Sequence, residues 1–343
     1  MPPRSDDPLR ARLEPWIGKP LSSAGPAIAP DPVNLPMIRH WVDALDDHNP
    51  IYLDEAKARA SGFDGLVAPP AMLQTWTMGR PRLEGIAERG GSSSDMDPDS
   101  PIVTLAEAGL PGTLATNSEL EFVRYLRLGD QLHATSALES ISERKTTGLG
   151  SGYFVTWKTS YFAGPDELVG RQLFRIFKFA PGARSPSTAA APPSAPSATA
   201  PRAAASAPPA ESKGEELSPL AISMTATRIV SGALASRDFM PVHHDRDYAR
   251  KQGAPDIFMN ILTTNGYVAR YVTDWAGSEA RLRSIKIRLG GPSTPGTTLR
   301  FSGHVSAESK SGGERVLEIN LRAVNELGMH ASGTVELTLP GGR

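Results

Sequence analysis

Asp47-His-Asn-Pro-Ile-Tyr52 and Asp238-Phe-Met-Pro-Val-His243 are two renderings of one stretch, and only the second ends in histidine. The register continues through Asp54/Asp245, Ala58/Ala249, Arg59/Arg250 and Gly62/Gly253, each pair 191 residues apart. One offset held across so many positions predicts two copies of one fold, with the titratable chemistry kept in the second. At 343 residues and 39% hydrophobic composition, the chain can bury a core in each of two domains of ordinary size.

Between the copies, residues 183–214 are dominated by Ala, Pro and Ser and offer no large apolar side chain to offset the entropy of ordering them. Their composition reads as a disordered linker, dividing the chain into domains at 1–182 and 215–343. Each domain shows the same order. In the first, helices are expected at 37–45, 54–61 and 66–78, then strands at 119–123, 131–142, 154–162 and 168–179. The second is expected to have a strand at 223–230, a helix through 257–275, and strands at 282–289, 298–306, 316–324 and 330–339. One apolar helix followed by long antiparallel strands implies an α+β fold, a sheet wrapped around a central helix. Residues 89–115, rich in Gly, Ser, Pro and Asp, read as a loop inserted in the first domain only.

The 36 basic and 37 acidic residues leave a net charge of -1, which proposes neither a nucleic acid nor an anionic membrane as partner. Zero cysteines exclude disulfides, thiolate metal sites and cysteine nucleophiles. With no long apolar run and no signal-like start, the expected location is cytoplasmic.

Asp238 and His243 flank Pro241, which bends the backbone so that both side chains can face one cleft. A carboxylate beside an imidazole can hold a water and exchange protons with it, and adding water across an activated double bond needs little more than a donor for the developing oxyanion. The backbone N–H of Asn260, at the start of the central helix, is the candidate donor. The matched first-domain residues are Tyr52, a poor general base at neutral pH, and Pro69, which has no N–H. Asp47, Tyr52 and Pro69 are therefore read as non-catalytic counterparts. The plainer alternative makes Asp238 a turn cap and His243 a satisfied buried side chain. A metal at His243-His244-Asp245 is not expected, because adjacent histidines in a turn point apart. Lys286 and Arg288 share one face of an alternating strand and are weak candidates for phosphate contacts. Asp54 and Asp245 read as helix caps.

At these residues the chain resembles the MaoC-like, hot-dog-fold enoyl-CoA hydratases, in which an Asp-x-Asn-Pro-x-His segment supplies the catalytic pair. Asp-His-Asn-Pro-Ile-Tyr52 and Gly65-Leu-Val-Ala-Pro-Pro70 resemble the N-terminal dehydratase domain of that family. Arg237-Asp-Phe-Met-Pro-Val-His-His-Asp-Arg-Asp247, Asp256-Ile-Phe-Met-Asn-Ile-Leu-Thr263, Tyr271-Val-Thr-Asp-Trp-Ala-Gly277 and Ser284-Ile-Lys-Ile-Arg-Leu-Gly290 are similar to the catalytic subunit of bacterial steroid side-chain hydratases. The resemblance implies a double hot-dog fold that fuses two subunit types. It also implies hydration of the 17(20)-double bond of a steroid enoyl-CoA with a three-carbon side chain, giving a 17-hydroxy product. No cofactor is implied, coenzyme A being part of the substrate. A downstream aldolase is the partner it suggests, and a face left exposed once the two halves pair through their sheets could form a homodimer. Met240 departs from the family's Asn, and Met259-Asn260 from its His-Gly. An R-specific hydratase for linear medium- or long-chain 2-enoyl-CoA is an alternative, as is a non-catalytic acyl-CoA binding or scaffold protein.

Overall fold

Asn34 and Thr225, a matched pair, each turn a side-chain oxygen onto the N–H three residues on and so start a helix, at 3.0 Å to Met37 and 3.1 Å to Arg228. Repetition at this level runs through the whole computed structural model, which describes residues 7–21, 25–89, 100–181 and 214–341. The first half contains α1 (Pro8–Leu13), β1 (Ala27–Ile28), α2 (Leu35–Leu45), α3 (Glu55–Ala60), α4 (Leu73–Trp76) and α5 (Pro101–Glu107). It continues with β2 (Gly112–Phe122), β3 (Leu132–Ile141), β4 (Lys145–Thr147), β5 (Gly150–Ala163) and β6 (Glu167–Pro181). The second half contains β7 (Leu220–Ser223), α6 (Ala226–Ala235), α7 (Arg246–Lys251) and α8 (Ile261–Ala276), then β8 (Arg281–Leu289), β9 (Thr298–Ser311), β10 (Glu314–Asn325) and β11 (Gly328–Pro340).

These strands form one 11-stranded sheet in the order β1-β3-β5-β6-β2-β8-β11-β10-β9-β7, with β4 paired to β5. Read outward from the β2–β8 junction, both halves place their strands in the same sequence order. This is the double hot-dog of the expected α+β class. The junction is antiparallel, from Asn117 opposite Arg288 to Glu121 opposite Ser284, so the two sheets share one ladder of backbone bonds. On β8, Leu282, Ile285 and Ile287 are buried while Lys286 and Arg288 are exposed, the alternation that puts one face on a core and one in water.

α8 is buried on nearly all sides and lies against β8 and β11. Gly266 makes this possible, because a side chain there would collide with Trp41 and Leu45 of α2. The first half packs its own helix directly onto the second half's central one.

Three expectations are corrected. The strand expected at 223–230 ends at Ser223, and Thr225 then caps α6; Ile229, Gly232 and Ala233 form its buried side, a helical spacing that β-branched composition had masked. The helix expected at 66–78 is extended through Pro69, because each proline biases its predecessor away from helix. Only a 3₁₀ turn at Pro70–Met72 and the four residues of α4 follow. The first half therefore keeps a stub where the second has the 16 residues of α8. Within the loop expected at 89–115, Ser100 caps α5 and Gly112 opens β2; residues 90–99 lie outside the described residues. The linker at 183–214 lies outside them too, apart from Gly214. Among the described residues, no helix is long and apolar enough to cross a membrane.

Candidate active site

The two copies of the motif are built alike. α2 and α6 each end on a left-handed residue, Asp46 at φ 50° and Arg237 at φ 59°. The next residue donates its N–H back into the helix, Asp47 to Val42 and Asp238 to Ala233, both at 2.9 Å. One carboxylate oxygen then caps the following turn: Asp47 Oδ1 accepts from the Asn49 N–H at 3.0 Å, and Asp238 Oδ1 from the Met240 N–H at 3.2 Å. Pro50 and Pro241 open matched 3₁₀ turns, and Asp54 and Asp245 cap α3 and α7 as their sequence positions suggested. Ala68 donates to Leu126 O and Met259 to Ser293 O, both at 2.9 Å, which brings the following residue, Pro69 or Asn260, to the motif.

Chemistry enters where the copies differ. His243 Nδ1 lies 2.6 Å from the carbonyl of Phe258; a carbonyl only accepts, so Nδ1 carries the hydrogen and Nε2 faces Asp238 Oδ2 at 3.4 Å. His243 is buried, and the Asp238 side chain is 18% exposed. Asn260 caps α8 by accepting from the Thr263 N–H at 2.8 Å, while its amide donates to Asp238 Oδ2 at 3.0 Å and to Ser236 Oγ at 2.8 Å. Its backbone N–H has no partner among the described residues, and it stands at the N-terminus of a buried helix. Behind it, Thr264 Oγ1 donates to the Asn260 carbonyl or to His330 Nε2, at 3.1 and 3.0 Å.

Sequence reasoning named Asp238, His243 and Asn260, and the structure brings these three together. It does not bring Lys286 or Arg288 to them; both stand on the exposed face of β8. The Asn260 side chain and Ser236 were missed as parts of the site. A signal for Ser236 was present in the offset, since its match is Leu45. The Met240 departure is offset by this same relay: where Asn49 turns its side chain onto the Ile51 N–H at 3.3 Å, the second half uses Asn260 from the next element to order the loop.

Electrostatics separates the copies further. Burial alone would push Asp238 up, but the His243 charge and the bonds from His243, Asn260 and Met240 hold its carboxyl below the usual carboxylate range. Burial alone would push His243 down, and Asp238 outweighs it, holding the imidazole above its ordinary value. In the first half, burial, with the Asp274 charge beside it, outweighs the Asn49 N–H and the Arg270 and His48 charges and pushes Asp47 up to about 6. Tyr52 is driven well above the ordinary phenol value by burial. A cleft of about 590 Å³ flanks this copy, and inside it the Arg281 guanidinium lies 3.7 Å over the Phe63 ring, which stacks on Tyr125.

A model of the FAS1-like dehydratase domain region matches residues 27–172, and one of the MaoC-like domain matches 210–326. The beta subunit of the 3-oxo-4,17-pregnadiene-20-carboxyl-CoA hydratase of Mycobacterium tuberculosis is 48% identical over 126 residues, which are 37% of this chain and 95% of that protein. The chain belongs to the MaoC-like dehydratase family. The alpha subunit of the same hydratase is 44% identical over 172 residues, 49% of this chain. This MaoC-like chain is thus similar to both subunit types, although it spans only about half the length of the curated alpha-subunit relatives it matches. Its fold is also that of a solved MaoC-like dehydratase, with a TM-score of 0.68 at 18% identity, covering 96% of this chain and 100% of the other.

Proposed function

We propose that the chain is a hydro-lyase that adds water to the double bond of an enoyl-CoA, and that its substrate is a steroid thioester unsaturated at 17(20) with a three-carbon side chain. The observation that carries the reaction is the second-half constellation: Asp238 Oδ2 and His243 Nε2 3.4 Å apart beside an unpartnered Asn260 N–H. In this reading the thioester carbonyl accepts from that N–H, so the charge of the enolate develops at a helix N-terminus. Water hydroxyl adds to the β-carbon, C17. The lowered Asp238 and raised His243 favour carboxylate as acceptor of the water proton and imidazolium as donor to the α-carbon, C20. Proton transfer within the pair then restores it, and the product is the 17-hydroxy thioester.

Two observations support the bulky acyl group. Both subunit types of the M. tuberculosis relative named for a pregnadiene-carboxyl-CoA are similar to this one chain. The stub α4 leaves the first half without the length of central helix that α8 supplies to the second. The first domain, 1–182, would then bind the acyl group, with catalysis in 215–343 and the intervening stretch as tether. Coenzyme A is the substrate's own handle, and no further cofactor has a part in the steps. A tertiary alcohol β to a thioester is the pattern that retro-aldol cleavage consumes, so a downstream aldolase is the partner expected, with a homodimer as the expected assembly.

The test is turnover of a 17(20)-unsaturated steroid-CoA beside crotonyl-CoA and octenoyl-CoA, followed by loss of the enoyl thioester and mass of the product. Preference for the steroid is expected. Preference for a linear substrate would replace the steroid by the medium- or long-chain reading, and no hydration of any would leave an acyl-CoA binding protein.

A further inference from the structure

The left-handed residue that ends α6 is an arginine, and its surroundings are unlike those of its match. In the first half Asp46 pairs with Arg228 of α6 at 2.6 Å. At the 191-residue offset, Asp46 corresponds to Arg237 and Arg228 to Met37, so the second copy of this contact sets a guanidinium against a thioether, at 3.9 Å. Its other hydrogen bond is a long one, 3.4 Å from Nη2 to the carbonyl of Gly79, and Nε is buried without a partner among the described residues. No carboxylate among the described residues pairs with Arg237. Arg237 is half-buried, and its Nε–H, shut off from water without regaining a bond, carries a cost that a ligand oxygen would relieve.

Gly79 lies just past the point where α4 stops. On the last turn of that stub, Trp76 Nε1 and Thr75 Oγ1 are also buried without a hydrogen-bond partner among the described residues. Two of the three unpartnered atoms, on Arg237 and Trp76, can only donate. Arg237 precedes Asp238 directly in the chain, and its contact with the Gly79 carbonyl ties the neighbour of the candidate catalytic pair to the segment that follows the truncated helix.

We propose that Arg237 and Trp76, with Thr75, form a polar subsite for a hydrogen-bond-accepting oxygen, of a ketone or a carboxylate, on the acyl group remote from the thioester. The proposal rests on the acyl-CoA reading above and deepens it. Such a site would select oxygenated ring systems over plain hydrocarbon chains, because a substrate lacking the oxygen leaves buried donors unpaired.

Binding of saturated, unreactive steroid-CoA thioesters tests it without requiring turnover. Three ligands are compared by calorimetry on the full chain: one with a ring ketone remote from the side chain, one with a carboxylate there, and one with hydrogen. The wild type is expected to bind at least one oxygenated ligand about tenfold more tightly than the hydrocarbon one. Arg237→Met, which restores an apolar match to Met37, and Trp76→Phe, which removes one N–H at nearly constant volume, should each abolish most of that advantage. Both should leave affinity for the hydrocarbon ligand within about twofold, with melting temperatures confirming the fold. Equal binding of all three ligands by the wild type would overturn the subsite, as would equal losses on all three in both variants. Discrimination without hydration of any enoyl-CoA would instead remove the enzymatic reading and leave the subsite standing.

Discussion

Asp47 and Asp238 occupy the same place in two copies of one motif, make the same Oδ1 bond to the backbone two residues on, and titrate in opposite directions. The difference in hydrogen bonding lies at Oδ2, and at Asp47 the Asp274 charge adds to burial. In the second half that oxygen meets His243 and the Asn260 amide; in the first, the matched residues are Tyr52 and Pro69. One carboxylate thus combines two duties that the comparison separates, Oδ1 serving the turn and Oδ2 the site. Burial is common to both copies, so what sets the second apart is the charge that Asp238 shares with His243.

The largest effect that would break the comparison is on turnover. His243→Ala should lower kcat by a factor on the order of 10² to 10⁴ with the fold retained by circular dichroism, whereas Tyr52→Phe should stay within about twofold. Equal losses in steady-state assays would end the idea of one working copy. Next, Asn260→Ala and Asn260→Pro both lose the side-chain bond to Asp238, but only the proline also removes the backbone N–H, copying Pro69. The proline variant should be slower than the alanine one by on the order of 10²-fold if the N–H stabilises the oxyanion; similar kcat values would leave the amide side chain as the only contribution.

Smaller effects are on titration and stability. In the wild type, the imidazole resonances of His243 should titrate above 6.5, and in Asp238→Asn below it, since burial then outweighs the remaining bond to the Phe258 carbonyl. The stability this pairing contributes is fully present below the unfolded histidine value and is lost as pH rises through the raised folded one; in Asp238→Asn the dependence reverses and stability is lost as pH falls. Asp47 has the same sign as His243 in the wild type. A carboxyl raised from 3.8 to about 6 binds more protons folded than unfolded in that window, so stability falls as pH rises through it. Asp47→Asn keeps the Oδ1 acceptor, should stabilise the chain at pH 7 by roughly 1–3 kcal/mol, and should flatten that slope in urea unfolding measured at pH 4 and 7. No change at pH 7 would mean that the carboxylate of Asp47 is better compensated than its contacts indicate.

Much of this contrast was legible in the chain. Proline, aspartate and glycine at fixed offset specify turns and caps through bonds spanning two to four residues, so their register survives as sequence. Helices were less legible where local preference and packing disagreed. The β-branched run after Ser223 reads as strand until Thr225 is recognised as a cap, and the apolar run 66–78 reads as a helix although its prolines delay the start and α4 stops at Trp76. The Asn260 side chain escaped notice because its partner Asp238 lies 22 residues away and only the approach of α8 to the motif unites them.

By itself, then, the sequence determined the duplication, the turn-and-cap framework of both motifs, and the half that retained a histidine, because each is written in residues a few positions apart. Tertiary structure alone decided that Oδ2 of Asp238 faces His243 and Asn260, that Lys286 and Arg288 stand on the exposed face of β8, and that Arg237 meets Met37 where its match meets an opposite charge. Those outcomes depend on how the two halves pack through β2, β8, α2 and α8, and packing between elements far apart in the chain sets the distance and solvation on which charge depends.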